Sequence, residues 1–189
     1  MGRNPLVLLL TLLVLVSTGC LGSSTSPVPS KSRVAVPNVV GLPVLAAANR
    51  LQRAGFAVTV PKRFYLSSQT PQPAVKQESP APGSRLVQGS AVVIDLEYRC
   101  CIGSPVVSTA HALIMPNVVG QPLDVAIREV SAETGFYDVS IPPATATGEP
   151  LLATYRVTKQ WPQPGFDLRQ QKDGFRVPAL SVSRARKGG

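Results

Sequence analysis

The residues of this chain that could do chemistry are few, and their spacing excludes more than it offers. His111 is the one histidine among 189 residues, so a Ser-His-Asp arrangement could be built only around it. No G-x-S-x-G accompanies it, no lysine follows a serine in an S-x-x-K, and no G-x-x-x-x-G-K loop occurs. The sequence therefore predicts no catalysis and no cofactor. Cys100 and Cys101 are adjacent. They could close a strained ring, bridge to another molecule or stay as thiols. Metal binding is the poorest reading, because too few further ligands stand nearby. Trp161, the sole tryptophan, lies between Lys159 and Arg169. It reads either as a partly buried packing residue or as a flat surface for a sugar ring, with the two cations available to carboxylates. Arg50, Arg53, Arg63 and Lys76 offer further cations in the first half, each readable also as part of a solvated basic face.

Something must position these groups, and the front of the chain is not part of it. Leu6 to Val16 is apolar except for Thr11 and follows the single charge of Arg3. Eleven helical residues reach only about 16 Å, half a bilayer core, which predicts an export signal over 1–19. The ending Val16-Ser17-Thr18-Gly19-Cys20 resembles a bacterial lipobox, which implies lipid attachment at Cys20 and a place on the extracytoplasmic face of the cell membrane. Ser17 departs from the more usual leucine. Residues 20–34 are rich in Ser and Pro and read as a flexible tether. Losing Arg3 with the signal leaves 18 basic against 10 acidic residues, a net charge of +8. Anionic partners such as wall polymers or lipid headgroups fit that balance, and export argues against nucleic acid.

The rest is written twice. VPNVVG at 36–41 returns as MPNVVG at 115–120. Val44, Ala47, Ala48 and Leu51 follow the first copy; Leu123, Ala126, Ile127 and Val130 follow the second. Both sets form one face of a helix. Pro43 and Pro122 fit the first helical turn, and Gly55 and Gly135 a left-handed stop. A strand follows each helix, at 56–60 and 136–141. Polar, Pro-rich connections come next, then a second strand running into a Pro/Gly turn, and a closing strand. Val92, Ile94, Leu96 and Tyr98 alternate with Val93, Asp95 and Glu97 in the first closing strand. In the second, from Phe175 to Val182, Pro178 predicts an edge or a bulged strand. The domains expected are 35–98 and 114–183, joined by a linker over 99–113 and followed by a basic tail over 184–189.

This order resembles the PASTA domain. Val36, Pro37, Val39, Gly41, Val44, Ala47, Leu51 and Gly55 carry the likeness, followed by Gln77, Pro80, Gly83 and Gln88-Gly89-Ser90. In the second copy Pro116, Val118, Gly120, Leu123, Ala126, Val130, Gly135, Gln160, Pro162 and Gly165 match, with Lys172-Asp173-Gly174 before the last strand. The first copy carries one inserted residue between Gln77 and Pro80 in this alignment. The resemblance implies an α+β fold of two small tandem domains, each one helix packed on a three-stranded antiparallel-type sheet. It implies binding of peptidoglycan fragments, with β-lactams proposed for some members, and it assigns no binding residue by position. It also implies an alternative role as a membrane-side adaptor of a penicillin-binding protein or a Ser/Thr kinase ectodomain.

Overall fold

The computed structural model describes residues 32–98, 113–171 and 177–185. Residues 1–31, read from sequence as signal and tether and including Cys20, together with Cys100, Cys101, His111, Lys172-Asp173-Gly174 and residues 186–189, lie outside the described residues. The first half contains β1 (Arg33–Ala35), α1 (Val44–Arg53), β2 (Ala57–Val60), β3 (Phe64–Ser67), β4 (Ala74–Ser79), β5 (Arg85–Val87) and β6 (Ala91–Glu97). The second contains α2 (Leu123–Thr134), β7 (Asp138–Ile141), β8 (Ala144–Ala146), β9 (Tyr155–Trp161) and β10 (Ala179–Arg184), with 3₁₀ turns at Leu151–Thr154 and Leu168–Gln170. Among the described residues no helix is long and apolar enough to cross a membrane.

Both helices form where the apolar spacing predicts. α1 buries Val44, Ala47, Ala48 and Leu51, and α2 buries Leu123, Ala126, Val130 and Thr134. Complete burial of a leucine such as Leu51 contributes about 1.5–3 kcal/mol. Pro43 and Pro122 stand one place earlier than the first turn, as the residues that cap each helix start. At the far ends, Gly55 and Gly135 take positive φ values of 86° and 74°.

The repeated hexapeptide is a turn that clamps each helix start to a strand. Val36, Val39, Met115 and Val118 fill the core. Gly41 and Gly120 then turn at φ 80° and 86°, where a side chain would be strained. Each donates its N–H to a strand carbonyl at 2.8 Å, Val75 in one half and Val157 in the other. One word recurs because one junction is built twice.

Two four-stranded sheets result, in the orders β4-β6-β2-β8 and β9-β10-β7-β3. The orders match, but the fourth strand of each sheet comes from the opposite half. β8 pairs antiparallel with β2, Val60 opposite Ala144, while β3 pairs antiparallel with β7, Phe64 opposite Ile141. Where the sequence predicts Pro-rich connections, the chain thus exchanges strands reciprocally. The expected pair of three-stranded antiparallel sheets is corrected accordingly: each sheet has four strands, and β2–β6 and β7–β10 run parallel. Without the exchange, β2 and β7 would each leave a row of backbone N–H and C=O groups unpaired. β10 is interior, between β7 and β9, with Pro178 lying just before it and a register shift after Ser181. The reading of an edge strand is therefore overturned, and the irregularity lies at Ser181/Val182 rather than at Pro178.

The core is continuous across the halves. Phe64 and Leu66 of β3 are fully buried in the same cluster as Val139, Ile141 and Leu180. Hydrogen bonds stitch the crossover further. Ser68 N–H donates to the Tyr137 carbonyl and Tyr137 N–H to Ser68 Oγ, at 3.0 and 3.1 Å. Thr59 Oγ1 and Thr145 Oγ1 share a hydrogen bond of 2.9 Å, and Gln52 Nε2 donates to the Glu149 carbonyl.

Candidate functional site

Because strand side chains alternate, each sheet turns one row of residues to the core and the next to solvent. On the β9-β10-β7-β3 sheet the core takes Val157, Leu180, Val139, Ile141, Phe64 and Leu66. The opposite face carries two cross-strand rows. In one, Trp161, Ala179, Asp138 and Ser67 stand side by side; in the other, Lys159, Ser181, Ser140 and Tyr65. Trp161 is 43% and Tyr65 53% exposed. The two aromatic rings therefore sit on opposite edge strands, with only short side chains between them. At about 4.8 Å per strand spacing, β9 and β3 lie about 14 Å apart.

Arg63 joins this face from the connection between β2 and β3. Its Nη1 donates to Ser140 Oγ at 3.0 Å. It also walls a shallow recess with Pro61, Lys62, Asp95, Leu96 and Tyr98. Tyr98 fastens β3 there, its hydroxyl accepting the Tyr65 N–H at 2.9 Å. Lys62 and Asp95 pair at 3.5 Å with both side chains well exposed, a contact of little energetic weight.

Three of the residues singled out by sequence, Trp161, Lys159 and Arg63, are brought onto one surface. The others stand apart from its two rows. Arg50 and Arg53 occupy the last turn of α1, and Lys76 is exposed on β4. Arg169 is engaged by Asp167 in a two-point contact, Nε to Oδ1 at 2.8 Å and Nη2 to Oδ2 at 2.7 Å. Hydrogen bonding from the Arg169 guanidinium holds the Asp167 carboxyl below its usual range. Tyr65, Asp138 and Ser140 were missed by sequence reasoning. The alternation of Arg63 and Tyr65 with Phe64 and Leu66 was the available signal.

The other sheet turns different chemistry outward. At the places matching Lys159 and Trp161 stand Gln77 and Ser79, beside Asp95, Val93, Thr59 and Thr145. No aromatic side chain stands in those rows.

The turns after β4 and β9 fix that correspondence. In the second half, Gln160 Oε1 accepts the Val118 N–H at 2.8 Å while its Nε2 donates to the Pro116 carbonyl at 2.8 Å. In the first half, Glu78 Oε1 accepts the Val39 N–H at 3.3 Å. Glu78, not Gln77, thus stands at the place of Gln160, and the inserted residue inferred from sequence is removed by this alignment. A carboxylate there cannot donate as the amide does. Glu78 Oε2 is buried without a hydrogen-bond partner, and burial raises the carboxyl pKa, against the smaller opposing effects of the Val39 N–H and the Arg50 charge.

Among comparisons with known proteins, the family model for the PASTA domain matches residues 34–97. No curated protein matches the chain.

Proposed function

We propose that this chain is an exported, lipid-anchored, non-catalytic protein whose two PASTA-like units bind peptidoglycan. The observation that carries the reading is the PASTA match over residues 34–97. PASTA domains are typically found in extracellular proteins that bind peptidoglycan or β-lactams. The second unit is supported by geometry. Its strand order, glycine turn and side-chain clamp repeat those of the first half, with Gln160 in the place of Glu78. Anchoring rests on the lipobox-like run that ends at Cys20.

Co-sedimentation of the purified chain with intact peptidoglycan sacculi at physiological salt tests this. Retention should exceed that of a charge-matched control protein. Equal retention of the two would refute wall binding and leave only the attraction of a basic surface. Mass spectrometry of the native protein should show acyl chains on Cys20.

A further inference from the structure

We propose that binding is concentrated at one composite site, the outward face of the β9-β10-β7-β3 sheet, and that its ligand is a glycan strand carrying carboxylated peptide substituents. The inference rests on the wall-binding reading above and adds where, with what and how many.

The two sheets share a strand order but not an outer surface. One carries Trp161, Lys159, Tyr65 and Arg63; the other carries Ser79, Gln77, Thr145 and Thr59 in its corresponding rows. Duplication of the scaffold was therefore not duplication of the site. The aromatic rings are at the edges; Ala179, Ser181, Ser140 and Asp138 between them are short, and Arg63 reaches in from the β3 side as far as Ser140. A pyranose ring presents C–H groups on its faces and hydroxyls on its rim. An exposed indole or phenol takes the first, while Ser140, Ser181 and Asp138 hydrogen-bond the second. Arg63 and Lys159 add positive charge close to the face, which suits carboxylates on a substituent that hangs from the sugar.

The site is composite because Tyr65 and Arg63 belong to the first half, delivered onto the second half's sheet by the exchange of β3. Neither half carries the whole surface. One ligand site per chain follows.

Trp161 is the only tryptophan, so the chain carries its own reporter. Soluble peptidoglycan fragments, released from sacculi by a muramidase, are titrated against the intact protein while tryptophan emission is followed. A saturable change fitting one site per chain is expected. Trp161→Ala and Tyr65→Ala should each weaken sacculus binding about 2- to 12-fold, and Trp161→Phe should retain it. Ser79→Ala and Thr145→Ala, on the other sheet, should change nothing. Lys159→Ala should weaken binding up to about fivefold for intact fragments and leave amidase-treated, peptide-free glycan unaffected. Normal circular dichroism is required of every variant, and Tyr65→Phe replaces Tyr65→Ala if the latter misfolds, with binding then expected to persist. Folded Trp161→Ala and Tyr65→Ala proteins that bind sacculi like the parent would overturn this site while leaving wall binding intact. Failure of the parent protein to bind would remove both.

Discussion

At the scale of single residues, the most informative comparison is internal. Glu78 and Gln160 occupy the same clamp, yet an ionised carboxylate can only accept from a turn N–H, whereas the amide also donates to a turn carbonyl. At 5% exposure Glu78 has little access to bulk water for its second oxygen. The sign of the consequence follows from the raised pKa. Folded Glu78 holds its proton to higher pH than the unfolded chain, whose carboxyl titrates near its ordinary 4.5. The folded state is thus favoured below that value, and the advantage is lost as pH rises through the folded pKa. Urea midpoints measured at pH 4 and pH 7 should show this decline. Glu78→Gln should flatten it and raise stability at pH 7 by about 1–3 kcal/mol, the scale of an unsatisfied buried group. Gln160→Glu should introduce a similar loss in the second half. Equal pH profiles for the parent and Glu78→Gln would remove Glu78 as the cause.

At the scale of elements, β3 and β8 decide the architecture although they are among the shortest strands. Each completes a sheet that the opposite half leaves open, and β3 also carries Phe64 and Leu66 into the core. Leu66 faces Val139 across the β3–β7 pair and is 1% exposed. Leu66→Ala should therefore destabilise the fold by about 2–5 kcal/mol, the range for truncating a buried leucine. Because Leu66 is paired with Val139, hydrogen exchange should also rise in β7, which belongs to the other half. Protection lost only within residues 32–98 would mean that the exchanged strand is energetically peripheral.

At the scale of the molecule, strand exchange replaces two modules on a connector with a single body. A shared core and two cross-half sheet pairings predict one cooperative transition, with calorimetric and van't Hoff enthalpies equal. Two resolved transitions would show that the halves fold independently. The same fusion changes how binding strength is gained. Avidity through a flexible linker depends on effective concentration, which linker length sets. Here the proposed site lies on one sheet whose strands from both halves are held together by pairing, so altering the length of the 99–113 linker should leave the proposed wall affinity nearly unchanged.

The sequence by itself determined what is local. Val44, Ala47, Ala48 and Leu51 announce a helix by period, and Gly55 and Gly135 mark a left-handed stop, so the repeated helix could be read from the letters. The side of Trp161 that meets solvent, and its company there, could not. Pairing between β3 and β7 joins residues some seventy positions apart, and backbone hydrogen bonds of that kind are nearly indifferent to side-chain identity. A four-residue strand such as β3 will take whichever open edge the folded halves present. Only the tertiary structure decided that the edge lay in the other half, and with it that Tyr65, Arg63, Lys159 and Trp161 share a surface.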